Sequence, residues 1–378
     1  MDSSLVQQQN RYHSALSQLR RAWGGIYNLP DEPFFLFGMG PRRKIIYQSG
    51  MLRDARTNEV LNKWNIRSEM IVPPSYAVEL ETDTGSVLLQ ENESGFWMTE
   101  SMGGTASPAL LYNHHSGQTK TQQIYLPDFS NETYGPVLRV LHHDILINIV
   151  DGKPTPNFFV YPRPWYRDGA MIAMVLRVTG NIHLLQEWIL GLSEVFDYNN
   201  GEAEADNLGQ VLFLLSLVGD RTHPLVEKVL QEIPRFQHGK YIRGRTDGGF
   251  RPVYQTKWLK FGLKSLGLPD PYEIPTQSED YSTLCWWDKS PTSNEPFDRT
   301  TSHMVSDDYP YLTWASDTFY TERQGFIGNR DYPLTWESNA SQANYDGMSI
   351  LSSEYVGRRT AVPHTWHAAE MFFRLLRE

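Results

Sequence analysis

Three acidic sites stand at the edges of apolar runs in this chain of 378 residues. The first is Asp168, next to Arg167 and shortly after Trp165. The second is Glu202, Glu204 and Asp206, directly before an apolar segment. The third is Glu354, in the loop before the last helical stretch. Hydrolysis of a glycosidic bond needs two carboxyl groups on opposite sides of that bond. One stays protonated and gives its proton to the leaving oxygen; the other activates water or attacks carbon. Around Asp168, the flat ring of Trp165 suits the C–H face of a sugar, and the charges of Arg163, Arg167 and Asp168 suit its hydroxyls. Each acid also has a plainer reading. Arg167-Asp168 reads as a helix cap with a surface ion pair, Asp206 as a helix N-cap, and Glu354 as an exposed carboxylate paired with Arg358 or Arg359. Glu204 and Glu202 compete with Asp206 for the acid role, and Glu337 competes with Glu354 for the base.

The elements that must hold these residues follow from periodicity. Met171, Met174, Val175 and Val178 recur at helical spacing behind Trp165, and Gly180-Asn181 ends the run. The same spacing predicts helices through Leu185 and Leu192, Leu208 and Leu215, Leu225 and Leu230, and Ala368 and Leu375. Another is expected over residues 9–24. Residues 33–150 change character. Phe34–Phe37, Lys44–Tyr47, Ala77–Leu80, Ser86–Leu89 and Gln123–Leu126 are strand-like, and turn residues such as Asp83 to Gly85 and Glu93 to Gly95 separate them. Long stretches at 234–258 and 267–308 read as functional loops.

The order and spacing of these motifs resemble glycosidases built on an (α/α)6 barrel, the six-hairpin fold of glucoamylases and of the glucosidase part of glycogen-debranching enzymes. There a Trp-x-Arg-Asp loop opens a barrel helix and binds the non-reducing sugar, as Trp165-Tyr-Arg-Asp168 would here. An acid follows about forty residues later, where Asp206 and Glu204 fall, and a base precedes the closing helix, where Glu354 precedes Trp366. The resemblance covers 155–378. It implies a mainly α fold, an (α/α)6 barrel with an N-terminal β-rich embellishment. The domain reading is a single catalytic domain over 1–378, with the β-rich elaboration at 25–150 and the barrel helices and active-site loops at 151–378. The implied activity is exo-acting and inverting cleavage of a terminal sugar from the non-reducing end of an oligosaccharide or glycoside, without a cofactor. Asp206 or Glu204 would be the acid and Glu354 the base, with Trp165, Arg167, Asp168, Arg163, Trp287, His364 and Trp366 binding substrate.

Composition narrows the classes. Aromatics make up 13 %, with 11 Trp and 20 Tyr, as carbohydrate clefts and large cores both require. A net charge of −10 and the lack of a basic tract argue against a nucleic-acid partner. Cys285 is the only cysteine, so neither an intrachain disulfide nor a cysteine zinc site is expected. His142-His143 has no third ligand nearby in sequence, so no metal is expected. The start of the chain lacks a basic and an apolar region of signal-peptide type, and no run is long enough to span a membrane, so the expected location is the cytoplasm. Arg163, Arg167, Arg243, Arg245, Arg358 and Arg359 keep a uronic-acid exo-hydrolase open as an alternative. A sugar epimerase or polysaccharide lyase on the same barrel, using His or Tyr, is a second, and a non-catalytic carbohydrate binder a third.

Overall fold

The computed structural model describes residues 34–112, 123–132, 135–158, 161, 163–275 and 364–376. The chain divides into two compact units: residues 1–151, 155–163 and 309–378 form the first, and residues 152–154 and 164–308 the second.

The first unit is β-rich. Strands β1 (Phe34–Phe37), β2 (Ile45–Gln48), β3 (Met51–Asp54) and β4 (Val60–Lys63) form an antiparallel meander in that order. A second antiparallel meander runs β5 (Ile66–Val72), β6 (Ala77–Thr82), β7 (Ser86–Asn92), β8 (Gly95–Met102) and β9 (Thr105–Tyr112). Alternation sends every second side chain inward. Phe35, Phe37, Ile45, Tyr47 and Leu52 from the first sheet share one apolar core with Ile71, Val78, Leu80, Val87, Leu89 and Phe96 from the second. Helix α1 (Gly135–Ile147) packs on α7 (Thr365–Leu375), with Phe129 set edge-on to Phe372 at 5.8 Å. Strand β10 (Ile149–Val150) follows α1.

The second unit holds β11 (Lys153–Pro154) and then helices. They are α2 (Tyr166–Val178), a 3-10 turn at Ile182–Leu185, α3 (Gln186–Leu190), α4 (Asn207–Leu217), α5 (Pro224–Phe236) and α6 (Pro252–Ser265). Helix α4 is buried from Asn207 through Leu215, as expected of a helix apolar on nearly every face, and it packs on α2, α5 and α6. Its approach to α6 depends on glycine. A Cβ on Gly209 would lie 2.1 Å from the carbonyl carbon and oxygen of Trp258. Between α5 and α6 run two short hairpins, β12 (Gln237–His238) with β13 (Tyr241–Ile242) and β14 (Arg245–Thr246) with β15 (Gly249–Phe250).

This corrects the expected fold class. An (α/α)6 barrel needs about twelve helices. Among the described residues six helices have 11 to 14 residues and α3 has 5. The strands of the first unit bury a core of their own and are not an embellishment on a helical barrel. Gln123–Leu126 forms no strand, and the helix expected through Leu192 is a 3-10 turn followed by the five-residue α3. The helix expected over 9–24 lies outside the described residues. No helix among the described residues is long and apolar enough to cross a membrane.

Candidate active site

Four carboxylates of the second unit gather around the guanidinium of Arg167. Trp165 occupies the N-cap position of α2 in extended conformation, with no side-chain capping bond, which leads Arg167 and Asp168 straight into the first turn. Both are buried, at 4 % and 3 % exposure. The Arg167 guanidinium lies 5.8 Å from the centroid of the Trp165 ring. Its Nη2 donates to Asp247 Oδ1 at 2.8 Å, and its Nη1 lies 3.5 Å from Asp206 Oδ2. The segment leading into α2 is tied down by Asp197. That carboxylate accepts from Tyr166 N at 2.7 Å and from Asn199 N at 3.0 Å, and the Asn199 amide donates to Pro164 O at 2.9 Å.

Asp206 directly precedes α4, yet its side chain makes no capping bond. Its oxygens are used elsewhere: Oδ1 accepts from Thr246 Oγ1 at 2.7 Å and Oδ2 from Gln210 Nε2 at 2.8 Å. Gln255 supports Thr246 through a 2.9 Å bond. The N-cap reading of Asp206 is therefore not the role of its carboxylate. Glu204 is different. Its two hydrogen bonds, from Asp247 N at 2.6 Å and Asn200 Nδ2 at 3.1 Å, both fall on Oε1. Oε2 is left without a hydrogen-bond partner among the described residues. Glu202 is half-exposed and pairs with Arg245 at 3.2 Å.

Asp247 comes from the tip of the β14–β15 hairpin. The two loop residues, Asp247 and Gly248, have φ of 47° and 71°. Positive φ at both positions is what a two-residue type I′ turn requires, and Asp-Gly is among the sequences that adopt it most readily. Asp247 keeps 27 % of its side chain exposed. Asn200 Nδ2 reaches its Oδ1 at 2.8 Å.

Electrostatics follow from this crowding. Burial raises the Asp168 carboxyl to about 7; Arg167 opposes the rise, and Asp247 and Asp197 add to it. Glu204 is likewise lifted by burial to about 7, with Arg167 opposing and Asp206 and Asp247 reinforcing. Asp206 is raised by its burial against the pull of Arg167. Like charges in one enclosed site cannot all ionise, so the cluster shares protons near neutral pH. The Tyr254 hydroxyl, enclosed near Asp206, is pushed well above its usual range by burial.

The sequence-derived candidates separate accordingly. Trp165, Arg167, Asp168, Glu204 and Asp206 come together in the second unit. Arg163, exposed, and His364 and Trp366, buried, belong to the first unit, where the His364 ring lies 6.3 Å from that of Tyr161. Glu354, Glu337 and Trp287 lie outside the described residues. Asp247, Asn200, Asp197 and Thr246 went unrecognised, although Asp247-Gly248 is a legible turn signal. No three His, Cys, Asp or Glu among the described residues are arranged to hold a metal ion. His143 stacks on Phe35 at 4.9 Å, and burial lowers both His142 and His143 to about 3, so both stay neutral.

No family model, curated protein or solved structure matches this chain. The resemblance to glucoamylases and the debranching glucosidases therefore has no support from any relative, and the element count contradicts its fold.

Proposed function

We propose that the Arg167 cluster is an acid–base site for hydrolysis of a glycosidic bond, removing a terminal sugar from the non-reducing end of an oligosaccharide or glycoside. The observation that carries this is Glu204: a buried carboxyl lifted to about 7, with both hydrogen bonds on Oε1. A proton on Oε2 is available to a leaving oxygen at neutral pH. In this reading Glu204 protonates the glycosidic oxygen as the C–O bond breaks. Water adds to the sugar carbon and loses its proton to a second carboxylate. Glu354, the base that the six-hairpin resemblance implied, lies outside the described residues. Trp165 and Arg167 offer a ring face and a fixed charge to the sugar. Carboxylates are favoured as the proton carriers over the His or Tyr of an epimerase or lyase. Burial keeps the Tyr254 hydroxyl protonated, and the buried His142 and His143 belong to the first unit. A uronic-acid substrate is less well supported, because Arg245 already pairs with Glu202 and Arg243 sits 4.7 Å over the Phe250 ring.

A second reading has its own observation. Asp206 is wholly buried with both oxygens bonded, as in a polar core that only fastens the hairpin to α2 and α4. The two readings part in one experiment. Aryl glucosides and glucuronides of both anomers, and oligosaccharides, are incubated with the wild-type chain and with Glu204→Gln. Hydrolysis requires sugar release by the wild type and a loss of about 100-fold or more in the variant on a poor leaving group. Absence of release from every substrate, or equal rates for both proteins, leaves the fastening role.

A further inference from the structure

The hairpin tip does more than border the cluster. Asp247 touches two of its members by two different groups. Its peptide N–H donates to Glu204 Oε1 at 2.6 Å, and its carboxylate accepts from Arg167 at 2.8 Å. The Asn200 amide completes a loop by donating to both Glu204 and Asp247. We propose that Asp247 is a positioning residue for Glu204: the Asp-Gly turn aims its peptide N–H at Oε1, which leaves Oε2 as the atom that carries the proton, while its carboxylate sets a like charge beside Glu204.

This rests on the reading of Glu204 as the acid. Geometry makes the coupling direct. An N–H fixed on Oε1 favours protonation at the other oxygen, since a protonated Oε1 would set two hydrogens against each other. The turn fixes that N–H, because both loop residues need positive φ and Asp-Gly adopts it with little strain. The N–H bond selects the oxygen but favours the ionised form, whereas the charge of Asp247 favours the protonated one. It adds a like charge beside Glu204, which offsets part of the pull of Arg167 toward the ionised carboxyl.

Asp247→Asn tests this without endangering the fold, since Asn-Gly is an equally favoured type I′ sequence. Asp247→Gly removes the carboxylate but keeps both N–H and turn. The full chain is labelled at glutamate side-chain carboxyl carbons, and the Glu204 resonance is identified by its loss in Glu204→Gln. We expect Glu204 to titrate about half a pH unit or more lower in both Asp247 variants. The alkaline limb of the pH–rate profile for glycoside cleavage should move down with it. Asp220→Asn, which removes an acid outside the cluster, should leave the titration where it was. An unchanged Glu204 titration in Asp247→Asn and Asp247→Gly overturns the proposal. Because the titration needs no substrate, a wild-type chain that cleaves no glycoside sinks the proposed reaction alone.

Discussion

Glu204→Gln should stabilise the second unit at alkaline pH while removing its proton donor. A carboxyl raised from 4.5 to about 7 binds a proton in the folded state that the unfolded chain has already lost. Below both values the group is protonated in either state and contributes nothing. As pH rises through this window the unfolded chain gives up its proton freely while burial holds the folded carboxyl neutral, so stability falls. At about 1.4 kcal/mol per pH unit, the full penalty at pH 8 is about 3 kcal/mol, and at pH 5 only about 1 kcal/mol of it is present. Glutamine still accepts from Asp247 N and Asn200 through its amide oxygen, so few contacts are lost. The variant should therefore gain about 2 kcal/mol on the wild type between pH 5 and pH 8. Urea unfolding at the two pH values, read by hydrogen exchange of α4 peptides, reports the second unit by itself. A variant that is destabilised equally at both pH values would refute the claim that burial keeps Glu204 protonated, and with it the acid assignment.

Two further outcomes follow from the packing. Arg167→Met leaves Asp206 and Asp247 without their guanidinium; it should destabilise by about 3 kcal/mol or more at pH 8 and by less at pH 5, where Asp168 and Glu204 are protonated, as urea midpoints at the two pH values would show. Gly209→Ala places a methyl group 2.1 Å from the Trp258 carbonyl and should lower stability by about 3 kcal/mol, with loss of the near-UV circular dichroism of Trp258.

Local elements were legible because their signal is local. Met171, Met174, Val175 and Val178 lie on one helical face, and α2 spans them; the short strand-like runs at 34–37, 77–80 and 86–89 fall within β1, β6 and β7. What failed was extrapolation from these pieces to an architecture. The helical runs read from periodicity between Met171 and Leu230 are compatible with many all-helical folds, and nothing in their periodicity counts the helices elsewhere. The cluster was half legible. Arg167, Asp168, Glu204 and Asp206 announced themselves by sitting at helix starts. Asp247 did not, because its bond to Arg167 spans 80 residues, and pairs that distant leave no periodic trace. The stretch 234–258 reads as a loop, yet α5 runs into it to Phe236 and α6 begins at Pro252; the four strands between have two residues each, too short for alternation to register.

The sign of the energetics bears on what the cluster is for. A polar core that stabilises a fold balances its charges and satisfies its lone pairs, because an unbalanced buried charge costs several kcal/mol. Asp206 meets the second condition fully, through Thr246 and Gln210. The cluster as a whole does not meet the first: among the described residues, the ion pairs of Asp206 and Asp247 share a single guanidinium, while Asp168 and Glu204 stand beside it with raised affinity for protons. Fastening the β14–β15 hairpin to α2 needs only the Arg167–Asp247 pair. Asp168 and Glu204 add nothing to that fastening, and their cost to stability builds up below pH 7 and is nearly complete there. Carboxyls that weaken the fold in their ionised form and hold protons in the range where proton transfer is useful are what an acid–base site requires. The pH-dependent gain expected for Glu204→Gln measures this imbalance directly, whatever the substrate.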